Sequence, residues 1–455
     1  MTMLRSLPGR LLSLWLPLAV VALSCAPSAG QPAPAAQPAQ GASGGAAPAG
    51  SPSAGGGGQA LSGEYKIGAI NPMTGPMAAS GKLQVEGLEV MRDMINDHGG
   101  VMGKRLTLVM ADIPDPTAAA NEANRLASRE GVKIITGTTF SALCGAASEA
   151  AARNNVIYWE VSCLDPRFTK RGLKTVYRTE INGDDMGFYM ADFVGTYLAE
   201  RLGKRPNELR VAYLSEDSAL GQGVTEAARK RAHDQYGMQE LSLDFYNALT
   251  INDFTPVILK LKESKPDLIM GIARGNDAIL FWKQAKEQDL QFGAMVTASA
   301  TGYGGPDFGA ALGKDANGVF VLAESGEGFR IEGMRPEGQA LEREFRQRLA
   351  QRTDNIGGGH FLSGAGLWML KLALDKAGTD DPDKFREAVL SIDLPVGSLI
   401  NGWGFKFDET GQNIAERSQH YVSQWQDGKQ VTIWPENFTD YRMKWVPLGP
   451  WEQRN

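Results

Sequence analysis

Metal-binding side chains are scarce: 455 residues carry three cysteines and four histidines. The cysteines stand alone at 25, 144 and 163, and no CxxC or HExxH spacing occurs, which argues against metal-dependent chemistry. An excess of positive charge is missing too. Lys and Arg total 46 against 52 Asp and Glu, so the formal charge is −6; nothing in that balance favours a polyphosphate backbone, and nucleic acid is not expected as a partner. Also absent are a GxSxG elbow, a GxxxxGK(S/T) loop and a GxGxxG opening a βα unit. The Gly clusters at 302–305 and 357–359 lack the strand-turn-helix setting that aims amides at phosphate. His98, His233, His360 and His420 are scattered, with no Ser or Cys nucleophile at a recognisable spacing. Adjacent Glu216 and Asp217 read as solvated or helix-capping carboxylates rather than an acid/base pair. No cofactor is expected, and the chain does not read as an enzyme.

Long apolar runs are confined to the N-terminus. Arg5 and Arg10 precede an apolar stretch over residues 11–23, too short to span a bilayer as a mature helix and the right size for a secretory signal. It ends Val21-Ala22-Leu23-Ser24-Cys25, which resembles a bacterial lipoprotein signal: residues 1–25 end at Cys25, the thiol to be lipidated. Ordinary cleavage near Ala26, with an idle Cys, is the alternative. Residues 26–63 follow as a tether. Up to Leu61 they are only Ala, Pro, Gly, Ser and Gln, and such a segment cannot bury enough surface to offset its ordering entropy.

From residue 64 the pattern becomes short apolar runs alternating with amphipathic stretches. Strands are expected at 65–70, 106–110, 132–135, 156–159, 210–214, 242–246 and 268–272, and helices at 83–96, 117–129, 148–154, 225–236, 254–264 and 277–288. Such alternation implies parallel sheets with right-handed crossovers and helices on both faces. About 390 residues exceed one such core, so two doubly wound α/β lobes are expected. Ligands of such sheets sit beyond the carboxyl ends of the strands. Here those ends lead into loops 71–81, 137–145, 160–166, 215–223, 273–277 and 297–305.

Four segments, IGAINPMTGPMAASG, MINDHGGVMGKRLTLVMADIPDPTAAANEANRL, LDPRFTKRGLKTVYRT and DFTPVILKLKESKPDLIMGIARGNDAILFWKQAK, resemble in order and spacing the branched-chain amino-acid type of solute-binding protein, the periplasmic type I family that feeds ABC importers. The likeness runs from 64 to about 425. It implies two lobes joined by a three-crossover hinge, 64–180 with 322–425 and 181–321 with 426–455, closing on a ligand in the cleft. It also implies a monomer that delivers an amino acid or another small carboxylate, aromatic acids included, to a membrane permease from outside the cytoplasm. A ligand-sensing domain for a signalling partner and a hydrolase on the same scaffold are the rival readings.

Carried over residue by residue, the family's ligand-carboxylate hydroxyl falls on Ser141, unless Ser141 merely caps the next helix. The contacts of the following loop fall on Ser162 and Leu164, where the hydroxyl is lost. The first-loop tyrosine falls on Ser80, and the second lobe's aromatic wall on Leu220 and Arg274. The acidic ammonium anchor falls near Ser299, in a neutral stretch. Asp277 or Glu160 would then substitute, or the ligand lacks an amine. Arg274 suits a carboxylate, or else forms a surface ion pair. Trp159 stacks on an aromatic ligand or belongs to the core. Cys144 and Cys163 lie in adjacent βα loops of an exported chain and form a disulfide or remain two buried thiols.

Overall fold

The computed structural model describes residues 61–454 other than 76, 139, 299–301, 324–328, 355 and 419. Cys25, the signal, most of the tether and Ser299 therefore lie outside the described residues. The first lobe begins β1 (Glu64–Asn71), α1 (Ala78–Asp97), β2 (Arg105–Asp112), α2 (Pro116–Ser128), β3 (Ile134–Thr136), α3 (Ser141–Arg153), β4 (Ile157–Glu160) and β5 (Val176–Arg178). Its sheet runs in the order β2-β1-β3-β4-β5, every pairing parallel. Strand periodicity sorts the side chains: Ile67 and Ala69 face a core that includes α1, whereas Ile70 faces α2 and α3.

The second lobe holds α4 (Gly183–Phe193), which continues through a π-turn to α5 (Ala199–Arg201), then β6 (Arg210–Glu216), α6 (Ala219–Tyr236), β7 (Gln239–Tyr246), α7 (Thr255–Ser264), β8 (Leu268–Gly271), α8 (Asn276–Glu287), β9 (Ala294–Ala298), α9 (Pro306–Leu312) and β10 (Phe320–Ala323). Val211 and Tyr213 join the core with α4 and α6, while Ala212 and Leu214 join that with α7 and α8. The chain then returns to the first lobe as α10 (Pro336–Ala350), α11 (Gly358–Ala377) and α12 (Pro382–Leu390), whose Phe345, Leu370 and Phe385 share the core of Ile67.

The last two strands, β11 (Tyr421–Gln426) and β12 (Lys429–Trp434), complete a second sheet ordered β12-β11-β10-β9-β8-β6-β7. They depart from the expected all-parallel arrangement, because β11 is antiparallel to both β10 and β12. Asp427 and Gly428 join them with φ of 54° and 79°, the left-handed pair that a two-residue hairpin needs. A hairpin of that length can only pair antiparallel. The expected lobe boundary at 425 falls inside β11, whose Tyr421–Gln424 pair with β10 of the second sheet.

Three crossovers join the lobes: between β5 and α4, between β10 and α10, and ahead of β11. The first and third lie side by side around Arg178, which is fully buried. Its Nε donates to Gln412 Oε1 at 2.7 Å, and its Nη1 donates to the carbonyls of Cys163 and Asp165, both at 2.7 Å. Gln412 in turn donates to the carbonyl of Glu180 at 2.6 Å, and Asn413 to that of Thr179 at 3.0 Å. Local rules fix how the strand-end helices start. Asp115 caps α2 through Ala118 N–H at 2.8 Å with Pro116 at its first position, and Ser218 caps α6 through Gly221 N–H at 3.1 Å. Among the described residues no helix is long and apolar enough to cross a membrane.

Candidate functional site

In both sheets the strand order reverses, between β1 and β3 and between β6 and β8; such switch points open a crevice beyond the carboxyl ends of the strands. In the first lobe Asp112 sets the β1–α1 loop, accepting from Met73 N–H at 2.7 Å and from Thr74 N–H and hydroxyl at 3.2 and 2.5 Å. Gly81 allows the close packing that follows, since a β-carbon there would stand 1.9 Å from the carbonyl oxygen of Pro72. Ser80 is exposed in the first turn of α1, and Ser141 is exposed as the first residue of α3. Phe140, not Ser141, is the N-cap residue, and no side chain caps α3, so the Ser141 hydroxyl is uncommitted to the helix.

Cys144 and Cys163 are joined in a disulfide, with Cα atoms 6.3 Å apart. The bond ties the first turn of α3, which carries Ser141, to the residue after Ser162. Ser162 donates its N–H to Glu160 Oε1 at 2.9 Å, and the Leu164 carbonyl accepts from Gly183 N–H of the second lobe at 2.9 Å. The Leu164 side chain packs against the second lobe's core, as does Leu220 in the first turn of α6.

Arg274 and Asp277 meet in the second lobe. Asp277, 5 % exposed, accepts from the N–H groups of Arg274 at 3.1 Å and Gly275 at 2.6 Å and from the Tyr246 hydroxyl at 2.7 Å. The Arg274 guanidinium is 3.5 Å from Glu216 Oε2, and Glu216 Oε1 accepts from the Ser218 hydroxyl at 2.5 Å. Glu160 is similarly occupied, accepting from the backbone of Thr138, Val161 and Ser162 at 2.8 to 3.0 Å and from the Tyr158 hydroxyl at 2.9 Å. The two carboxylates suggested as substitute ammonium anchors thus already organise their own loops. Trp159 is a core side chain: it has no exposed surface, lies among Tyr177, Phe385, Phe405 and Phe407, and donates its indole N–H to the Gly366 carbonyl at 2.8 Å.

Burial pushes the Glu160 carboxyl up to about 7, which its partners permit, because the Tyr158 hydroxyl can turn to accept from a protonated oxygen. The folded value lies above the ordinary value of about 4.3. The associated stability is therefore complete below about pH 4.3 and lost as pH rises through 7. Glu160→Gln imitates the protonated form, so the variant's unfolding free energy relative to wild type should climb between pH 4.5 and 8 in urea titrations. Parallel pH profiles for the two proteins would contradict the assignment.

Sequence reasoning missed a second feature. A cavity of about 910 Å³ opens beside the crossovers, between α10 and the start of α11 on one side and residues 329–332 with His420 and Tyr421 on the other. None of the residues expected from the sequence lines it. His420, 2 % exposed, stacks between Tyr189 and Trp403 at centroid distances of 6.3 and 5.8 Å. Burial lowers its pKa to about 4, so the ring is neutral at physiological pH.

Known proteins share this architecture. A family model described as periplasmic binding protein matches residues 64–430. The Leu/Ile/Val-binding protein homolog 7 of Brucella suis is 30 % identical over 386 residues, covering 84 % of this chain and 94 % of that protein. Among solved structures, the branched-chain amino acid transporter substrate-binding protein LivJ of Streptococcus pneumoniae in complex with isoleucine superposes with a TM-score of 0.63 at 19 % identity, covering 81 % of this chain and 99 % of that one. The solute-binding protein of an ABC transporter from Rhodopseudomonas palustris in complex with 3,4-dihydroxy benzoic acid does so with a TM-score of 0.62 at 20 % identity, covering 84 % and 99 %.

Proposed function

The chain belongs to the periplasmic binding protein family, and on that premise we propose that it is an extracytoplasmic receptor, anchored through a lipid on Cys25, that closes its two lobes on a small carboxylate and delivers it unchanged to an ABC import permease. The observation that carries the reading is the pair of open α/β lobes, each with its strand-end loops at a switch point, joined by three crossovers. A ligand that touches both lobes binds the closed arrangement better and shifts the population toward it. No bond need be made or broken, and no cofactor is required.

The chemistry of the loops favours an acid over an amine. Ser141 offers an uncommitted hydroxyl at a helix N-terminus and the half-exposed Arg274 a guanidinium, both able to donate to a carboxylate; the Ser162 carbonyl can only accept, from a hydroxyl or N–H elsewhere on the ligand; Ser80 and Leu220 supply the remaining wall, and Ser299 belongs to the same set by alignment. Glu160, Glu216 and Asp277 are engaged by protein donors, and burying an ammonium without a free carboxylate costs several kcal/mol. Relatives of this fold occur in complex with isoleucine and with 3,4-dihydroxy benzoic acid, which brackets the candidates.

A thermal-shift screen of isoleucine, 3,4-dihydroxybenzoate, aliphatic acids and the corresponding amides tests the reading. A binder at 100-fold excess over its Kd adds about 2.7 kcal/mol of stability. Acids without an amine should raise the Tm, and their amides should not. Stabilisation by amines or amides alone would contradict the proposal.

A further inference from the structure

The geometry points to a second ligand chamber: the cavity beside the crossovers takes an aromatic carboxylate, its ring between aromatic side chains and its anion on Arg343 of α10, beside the start of α11. This goes beyond the receptor reading, because the chamber is separate from the strand-end loops and none of their candidate residues lines it.

Size and walls come first. About 910 Å³ lies within the range of small-molecule pockets, and a one-ring acid fits with room for water. Four rings line it. Phe329 packs edge-on to Tyr421 at 4.8 Å, Trp403 is 3 % exposed, and Phe361 carries the Arg346 guanidinium at 4.8 Å from its centroid. Phe329 and Phe361 are partly exposed and present ring surface, whereas Trp403 and Tyr421 are almost fully buried; exposed ring faces and edges favour an aromatic guest in offset or edge-on geometry.

Charge selects the guest's sign. Three guanidinium groups and two carboxylates line the cavity. Arg346 Nε is 2.5 Å from Glu342 Oε1, while Arg330 is 2.5 Å from Asp440 and 3.7 Å from Glu332. Arg343 has no such partner among the described residues and donates only to the neutral Gln339 Oε1 at 3.1 Å. Among the described residues, Arg343 is therefore the cavity's guanidinium without a carboxylate partner, and its planar fork matches a carboxylate. Gly357 and Gly358, at the N-terminus of the 20-residue α11, line the same wall, and the positive end of a helix adds to the preference for an anion. A cationic guest would find both carboxylates already matched.

The test is calorimetric titration of the whole protein with benzoate and with benzamide, its neutral counterpart of the same shape. Hydrogen bonds to a charged group are stronger than neutral ones, so benzoate should bind wild type about tenfold or more tighter than benzamide. Arg343→Gln should erase that preference, whereas Arg348→Gln, on α10 but outside the cavity lining, should keep it. Arg343 is exposed, and an unchanged Tm of Arg343→Gln confirms that folding is intact. A preference that survives Arg343→Gln, or no benzoate binding to wild type, overturns the chamber. Loss of benzoate binding in Ser141→Ala with Arg343→Gln unaffected also overturns it, while leaving the receptor reading in place.

Discussion

Replacing Arg178 by methionine is expected to cost the folded protein about 3–5 kcal/mol, the range for removing one partner of a buried charged network. The side chain is fully buried where the first and third crossovers meet. Its loss strands Gln412 Oε1 and the carbonyls of Cys163 and Asp165, all bonded at 2.7 Å, and each orphaned acceptor carries a desolvation penalty of about 1–3 kcal/mol. Burial lowers the guanidinium pKa to about 10, which still leaves it charged at neutral pH. Arg178→Lys keeps the charge but lacks the fork that reaches three acceptors on two chain segments, so it should fall between wild type and Arg178→Met. Urea denaturation measures both. A loss below about 1 kcal/mol for Arg178→Met would mean that the neighbouring backbone contacts, such as Arg178 N–H to the Gly411 carbonyl at 2.8 Å, hold the crossovers without it.

Removing the Cys144–Cys163 disulfide ranks next. The cysteines are 19 positions apart, and a cross-link closing a loop of that length stabilises by about 3 kcal/mol through its restriction of the unfolded chain. The double variant Cys144→Ser, Cys163→Ser should therefore lose about that amount in urea titrations, with wild type in reductant behaving alike. A consequence for binding follows from placement. Ser141 lies three residues before one cysteine and Ser162 directly before the other, so freeing the bond loosens the two first-lobe loops proposed to meet a ligand. Weaker carboxylate binding should accompany the stability loss, and unaltered affinity would separate the disulfide from the site.

Much of the fold was legible because central strands such as β6, β8 and β9 are buried on both faces and read as apolar runs bounded by turn residues. The start of α3 was not. Residues 141–147 include Gly145 and look like a loop, yet Leu143, Cys144 and Ala147 are all buried on the helix, so tertiary packing overrides the local preference. The β11–β12 hairpin carried a readable signal in Asp427-Gly428 between alternating residues. The crossover network did not, since Arg178 and Gln412 are 234 positions apart and nothing local pairs them. Within the site, the alignment pointed to the strand-end loops, but it could not tell that Asp277 and Glu160 spend their oxygens on neighbouring amides. Arg343 was equally hidden: on the charged face of α10 it reads as a solvated residue until the cavity wall is seen around it.

The molecule is proposed to work by closing two lobes on an unmodified guest. Small-angle X-ray scattering, recorded with and without a saturating carboxylate identified by thermal shift, tests it most directly. Closure should appear as a smaller radius of gyration in the presence of ligand, with the ligand recovered chemically unchanged afterwards. An identical scattering profile at full occupancy, or conversion of the ligand, would contradict it.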